Sequence, residues 1–222
     1  MKVAVLFSGG KDSSYAAFLA KKENYDVKCL ITIESKNPYS FMFHTPSINC
    51  VKKQTEVMGL PLIYIKSKGE KEKELRELEK AIKKAVERYK IQGVVTGAIE
   101  SVYQASRIQK ICNKSEIECF NPLWQKNQFE LLNELVKNRF KIIIVGVFAY
   151  PLDEKWLGRK INKKFIEDMK ILDEKYKINP SGEGGEYESF VLNCPLFRKK
   201  LKIKSFKDNG EGNSWIRDIE VK

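Results

Sequence analysis

The sequence predicts an α/β protein: a doubly wound, parallel five-stranded sheet followed by a second, smaller α+β domain. Three observations carry that prediction. Apolar, partly β-branched runs alternate with stretches of helical period through the first half of the chain. A glycine turn joins the first such run directly to the first helix. Beyond about residue 125 the alternation stops and a β-rich tail appears. Repeated β-α units of this length imply a parallel, doubly wound sheet.

The elements follow in order. Val3 to Phe7 is a buried strand and Ser14 to Lys22 a helix. Val27 to Ile33 reads as the second strand. Pro46 suits the first turn of a helix, with Thr45 as its N-cap and Gly59 as its stop. Pro61 to Ile65 is a third strand. From Glu72 to Tyr89 the apolar residues Leu75, Leu78, Ile82, Ala85, Val86 and Tyr89 fall on one helical stripe, with Glu72–Arg76 and Glu79–Lys83 as i,i+4 pairs on the wet side. Gly93 to Ile99 is the fourth strand, Ser101 to Cys112 a helix capped by Ser101, and Ile117 to Phe120 the fifth strand. The predicted boundary lies at 125/126, giving a nucleotide domain over 1–125 and a smaller α+β domain over 126–222. In the latter, Gln128 to Lys137 and Ile161 to Lys175 are helical, Lys141 to Phe148 is a buried strand, and the tail from Val191 is β-like. The run Arg198 to Lys204 alternates lysine with Leu201 and Ile203. It reads as an edge strand that lysines protect from pairing, rather than as a nucleic-acid patch.

The first strand is followed at once by Ser8-Gly9-Gly10-Lys11-Asp12-Ser13. Strand, glycine turn and helix N-terminus together form an anion cradle. The glycines let backbone approach oxygens closely, and the first helical N–H groups and the helix dipole favour negative charge. Lys11 adds a point charge, and Ser8 and Ser13 add hydroxyl donors. The chain holds no Walker A pattern. SGGKDS resembles instead the PP-loop of ATP pyrophosphatases, which split ATP into AMP and pyrophosphate to activate a carbonyl or carboxyl oxygen. An ordinary strand-to-helix turn is the structural alternative.

Three further segments carry candidate chemistry. Asn179 to Glu188 contains three glycines, a proline and the carboxylates Glu183, Glu186 and Glu188. Its composition makes it a loop, and clustered carboxylates can hold magnesium or ammonium or act as bases. A solvated turn is the alternative. In Thr96 to Arg107, Gly97 ends a central strand where backbone can approach a nucleotide. Gln104 and Arg107 share a helix face, and Arg107 has the planar fork that clamps phosphate or carboxylate. His44, the single histidine, follows the second strand beside aromatic residues. A structural role and a ligand contact both fit it.

Composition bounds the rest. The 222 residues suffice for one large or two modest domains, and no apolar run approaches a membrane span. The chain opens directly on a core strand, so no signal peptide is expected, and the expected compartment is the cytoplasm. Five cysteines without a Cys-x-x-Cys pair argue against a disulfide framework or a cysteine zinc site. The net charge of +12 favours polyanionic partners such as ATP, RNA or a ribosome-associated protein, or else reflects a solvated Lys/Glu-rich surface.

Taken together, SGGKDS, FMFHT, TGAIESVYQASR, NPLW, WLGR and SGEGGEYESFVLNCPLF resemble the diphthine–ammonia ligase family, in order from Ser8 to Phe197. The chain looks like its compact, archaeal-type form. Ser189 stands where that family usually has threonine, and Asn193 where aspartate is common. The resemblance implies a HUP-like, adenine nucleotide alpha hydrolase-like first domain. It implies amidation of diphthine, a modified histidine on translation elongation factor two, by ATP, magnesium and ammonium. In that scheme Ser8, Gly9, Gly10, Lys11, Asp12, Ser13, Gly97 and Ala98 bind ATP. Asp12 holds the metal, and Lys11, Asp12, Glu183, Glu186 and Glu188 are catalytic. His44, Tyr103, Gln104, Arg107, Gly184, Gly185 and Tyr187 meet the substrate. No membrane and no nucleic acid are expected as partners, and self-association is left open. A PP-loop enzyme that modifies transfer RNA, and a non-catalytic nucleotide-binding module, are the competing readings.

Overall fold

A computed structural model describes the whole chain except residues 36, 38–49 and 71–72. Its first sheet contains β1 (Lys2–Leu6), β2 (Asp26–Ser35), β3 (Leu62–Ser67), β4 (Gly93–Val95) and β5 (Glu118–Phe120). All neighbours are parallel, in the order β3-β2-β1-β4-β5. The strand order therefore reverses beside β1, and the glycine turn leaves the carboxyl end of that strand. Open parallel sheets bind their ligands at such a position. The helices along this stretch of the chain are α1 (Lys11–Lys22), α2 (Val51–Met58), α3 (Lys73–Tyr89) and α4 (Val102–Lys114).

The remainder holds α5 (Gln128–Lys137), β6 (Lys141–Val147), α6 (Lys163–Tyr176), β7 (Tyr187–Asn193), β8 (Ile203–Glu211) and β9 (Ser214–Val221). Its four strands form an antiparallel sheet in the order β7-β6-β9-β8. The α/β part and the smaller α+β part thus match the predicted fold class.

Two compact units result. One gathers Met1–Ser8, Asp12–Thr45 and Gly59–Trp124; the other gathers Gly9–Lys11, Pro46–Met58 and Gln125–Lys222. Early as they are in the chain, the three residues of the glycine turn and α2 belong with the C-terminal sheet. In the first unit, Ile31, Leu78, Ile82, Val94 and Ile108 build the core between sheet and helices. The predicted stripe of α3 is accordingly buried at Leu78, Ile82 and Ala85. In the second, Val57, Val145, Phe190, Leu201 and Ile219 share one core.

Several boundaries depart from the sequence reading. Helix α1 starts at Lys11, three residues before Ser14, because two glycines suffice to close the turn. Strand β4 ends at Val95 rather than Ile99. Beyond it the Thr96 hydroxyl accepts the Ala98 N–H at 3.2 Å and donates to Asn121 Oδ1 at 2.5 Å, which turns the chain away. Glu79 meets Lys114 of α4 at 2.5 Å. Thr45, Pro46 and Glu72 lie outside the described residues. The basic run is not one alternating strand, for only Ile203 and Lys204 enter β8. Leu201 is buried instead, its N–H bonded to the Leu192 carbonyl, and Lys202 exchanges two backbone hydrogen bonds with Lys222. Strand β8 is nevertheless the edge of its sheet. All five cysteines are free, and burial pushes the Cys29 thiol up to about 12 and Cys194 to about 11.

Candidate functional site

The glycine turn is held at both ends by its own hydroxyls and by β7. In the first unit, Ser13 Oγ accepts the Ser8 N–H at 3.2 Å and lies 3.1 Å from Ser8 Oγ. A side chain at Gly97 would sit 2.7 Å from Ser13 N and 2.8 Å from the Asp12 carbonyl carbon. Gly97 thus packs closely on the first turn of α1. Ala98 is buried, with its N–H already committed to Thr96.

In the second unit, Gly9 takes φ +83°, which a residue with a Cβ rarely adopts. Its carbonyl accepts the Val191 N–H at 3.1 Å and the Gln54 side-chain amide at 2.9 Å. The Lys11 N–H, the first of the helix, donates to Ser189 Oγ at 3.1 Å. The Lys11 side chain is buried, with its ammonium 5.4 Å from the centre of the Tyr187 ring. Strand β7 therefore docks on the turn through the Tyr187 ring, the Ser189 hydroxyl and the backbone N–H of Val191.

That same strand is the exit of the acidic loop. The segment is the loop its composition predicts, and it is cross-linked. Asn179 bonds Glu186 Oε1 twice, from its backbone N–H at 3.0 Å and its side-chain amide at 2.6 Å. Gln128, the first residue of α5, accepts from the Ser181 N–H and hydroxyl at 3.0 and 2.7 Å and donates to Asn179 Oδ1 at 3.2 Å. The Tyr187 hydroxyl donates to the Pro180 carbonyl at 2.8 Å, so it is engaged in the loop. Glu186 is only 8 % exposed, and its Oε2 is buried without a hydrogen-bond partner among the described residues. Glu183 is half-buried, and Gly184 and Gly185 are exposed.

On α4, Ser101 is the N-cap and accepts the Gln104 N–H at 3.3 Å. Arg107 lies 3.5 Å over the Tyr103 ring, one turn earlier on the same helix. His44 falls outside the described residues. Sequence reading missed Gln54, Gln128, Asn179 and Ser189 as site-building residues. Only Ser189 left a trace, as a departure from a family pattern.

Among the described residues no group of three or more His, Cys, Asp or Glu side chains is placed to hold a metal ion. Magnesium is commonly held by one or two carboxylates together with substrate phosphates. Asp12, at the start of α1, fits that way of binding, with the nucleotide supplying the other oxygens. No described helix is long and apolar enough to cross a membrane.

A parallel sheet whose switch point carries a glycine turn running into a helix is the frame of a phosphate-binding enzyme. Comparison with known proteins narrows that class. Residues 1–119 match the diphthamide synthase N-terminal domain and residues 127–221 the diphthamide synthase C-terminal domain. The diphthine–ammonia ligase of Mus musculus is 35 % identical over 92 % of this chain and 84 % of its own. That of Homo sapiens is 33 % identical over the same shares. A solved chain from Methanocaldococcus jannaschii, a "predicted subunit of tRNA methyltransferase", is 21 % identical, covers 88 % of this chain and 98 % of its own, and superposes with a TM-score of 0.47. The chain belongs to the diphthamide synthase family of ligases.

Proposed function

We propose that this protein amidates diphthine on translation elongation factor two, spending ATP to AMP and pyrophosphate. The observation that carries the proposal is that one strand, β7, joins two segments. Its Ser189 and Val191 hold the glycine turn, and the residue before it, Glu186, offers a buried carboxylate oxygen without a partner among the described residues.

A carboxylate is a poor electrophile, and adenylation gives it a leaving group. A diphthine carboxylate oxygen attacks the α-phosphorus, and the bond to the bridging oxygen breaks with its electrons going to pyrophosphate. Backbone N–H groups of the glycine turn and the Lys11 ammonium stabilise the charge on the departing phosphates. Magnesium, held by Asp12 and the phosphates, would supply further positive charge there. Ammonia then attacks the acyl carbon, AMP leaves, and the surplus proton passes to a base.

Glu186 Oε2 fits that last role. A buried carboxylate oxygen lacking a donor is costly, and ammonium supplies donors and positive charge together. Asn179 fixes the other oxygen, so one half of the carboxylate is structural and the other half is left for chemistry. Glu183 and Glu188 add negative charge around the loop. Tyr103, Gln104 and Arg107, with His44, are assigned to the substrate side, along with the exposed Gly184 and Gly185. Tyr187 serves the site through its ring beneath Lys11.

The test is pyrophosphate release from ATP by the purified protein with ammonium and diphthine-bearing elongation factor, against factor lacking diphthine. Release should require diphthine. Glu186→Gln should keep pyrophosphate exchange while amide formation falls about 100-fold, the low end for losing a general base. Loss of exchange together with amide formation would place the loop in the ATP site instead. Release that ignores diphthine would defeat the substrate assignment.

A further inference from the structure

The peptide joining Gly9 to Gly10 is pinned from one side. The Gly9 carbonyl accepts from Val191 N at 3.1 Å and from Gln54 Nε2 at 2.9 Å. The same Nε2 donates to the Val191 carbonyl at 2.8 Å. Both partners of Nε2 are carbonyl oxygens, so the group between them has to be the NH2. That orientation leaves Gln54 Oε1 buried with no hydrogen-bond partner among the described residues, on a side chain that is 0 % exposed. Oε1 packs on Gly9, where an added Cβ would lie 2.3 Å away.

A stranded buried oxygen is destabilising. Leucine or methionine would fill the same volume without one, so packing alone does not account for glutamine here. The geometry of the peptide does. A trans peptide directs the carbonyl of one residue and the N–H of the next to opposite sides. Holding the Gly9 carbonyl toward Val191 therefore turns the Gly10 N–H away from β7. A loop that cradles phosphate has to hide its carbonyls and present its N–H groups, because a carbonyl dipole facing an anion repels it.

We propose that Gln54 is a positioning residue for the phosphate loop: its amide holds the Gly9 carbonyl on the β7 side, so that this carbonyl does not face the ligand. This rests on the reading of the glycine turn as the phosphate site. It also gives Gly9 a second reason to be glycine. Besides φ +83°, any Cβ there would expel the Gln54 side chain.

The experiment titrates the full chain with ATP, inorganic pyrophosphate and adenosine. Gln54→Met keeps apolar volume and removes the donor. It should weaken ATP and pyrophosphate roughly 10- to 100-fold, the range for losing a buried hydrogen bond, and leave adenosine unchanged. Gln54→Glu faces two carbonyl oxygens and donates only when protonated. Its affinity for ATP, relative to wild type, should recover as the pH is lowered from alkaline to mildly acidic. Gln54→Met should show no such recovery. Lys11→Ala separates the two claims. If it loses ATP while folded Gln54→Met binds normally, the positioning role is wrong. If Lys11→Ala also binds normally, the phosphate-site reading itself is wrong. Equal losses of ATP and adenosine in Gln54→Met, or a Gln54→Glu deficit that ignores pH, reduce Gln54 to a structural residue.

Discussion

Gly97 lacks a side chain because the first turn of α1 occupies the space. An alanine Cβ would meet backbone atoms at 2.7 and 2.8 Å, and backbone cannot swing aside as a flexible side chain can. Gly97→Ala should therefore displace the Asp12–Ser13 segment and cost about 1–3 kcal/mol, the usual range for overpacking. A lower urea midpoint checks it, and a midpoint equal to wild type contradicts the close packing. The glycine itself was legible in the sequence as a place of close backbone approach, although the strand it was expected to end stops at Val95. What it approaches was not, because Asp12 and Ser13 are over eighty residues away in the chain. Gln54 shows the same limit more sharply. It sits among lysines and apolar residues of a short helix, and nothing within its own turn requires an amide. Its partners, Gly9 and Val191, are 45 and 137 residues distant.

Elements separate by how local their causes are. Strand β1, the glycine turn and α1 are written in adjacent residues, and so is the stripe of α3. These appear nearly where the pattern places them. The basic run failed as a predictor because alternation records only that every second residue is apolar. Leu201 is buried by pairing with Leu192 ahead of β8, rather than inside a strand. The acidic loop was recognisable as a loop, but its rigidity was not, since Gln128 closes it from 51 and 53 residues away. Asn179 is the residue on which that rigidity depends most. It joins Glu186 Oε1 to Gln128, so Asn179→Ala removes a charge-assisted bond and an acceptor together. The expected cost is about 1.5–3 kcal/mol for the charged bond. Limited proteolysis at the exposed Gly184–Gly185 step should quicken in the same variant. Unchanged cleavage and an unchanged melt would show that the loop is held without Asn179.

At the scale of the whole molecule the unresolved choice in the sequence is what +12 net charge is for. Nucleic-acid binders gather their cations with stacking aromatics along a strand path. Here many cations face carboxylates. Lys28 meets Asp26, Lys53 meets Glu56, Lys126 meets Glu134 and Lys204 meets Glu220, at 2.7, 2.9, 2.9 and 3.4 Å. Arg217 forks onto Asp208 at 2.7 and 2.6 Å, and Arg159 pairs with Asp168. The exposed pairs among these, such as Lys53–Glu56 and Lys204–Glu220, add little stability, about 0–1 kcal/mol each. They do dilute the field that a phosphate backbone would meet, and every cation already paired releases fewer counterions on binding RNA. Filter binding with total transfer RNA at physiological salt should accordingly show no sub-micromolar complex. Weak binding at low salt that vanishes steeply as salt rises is compatible with diffuse charge alone. A tight complex that survives physiological salt would mean the cations act in concert, and would favour a transfer-RNA substrate over the protein substrate proposed above.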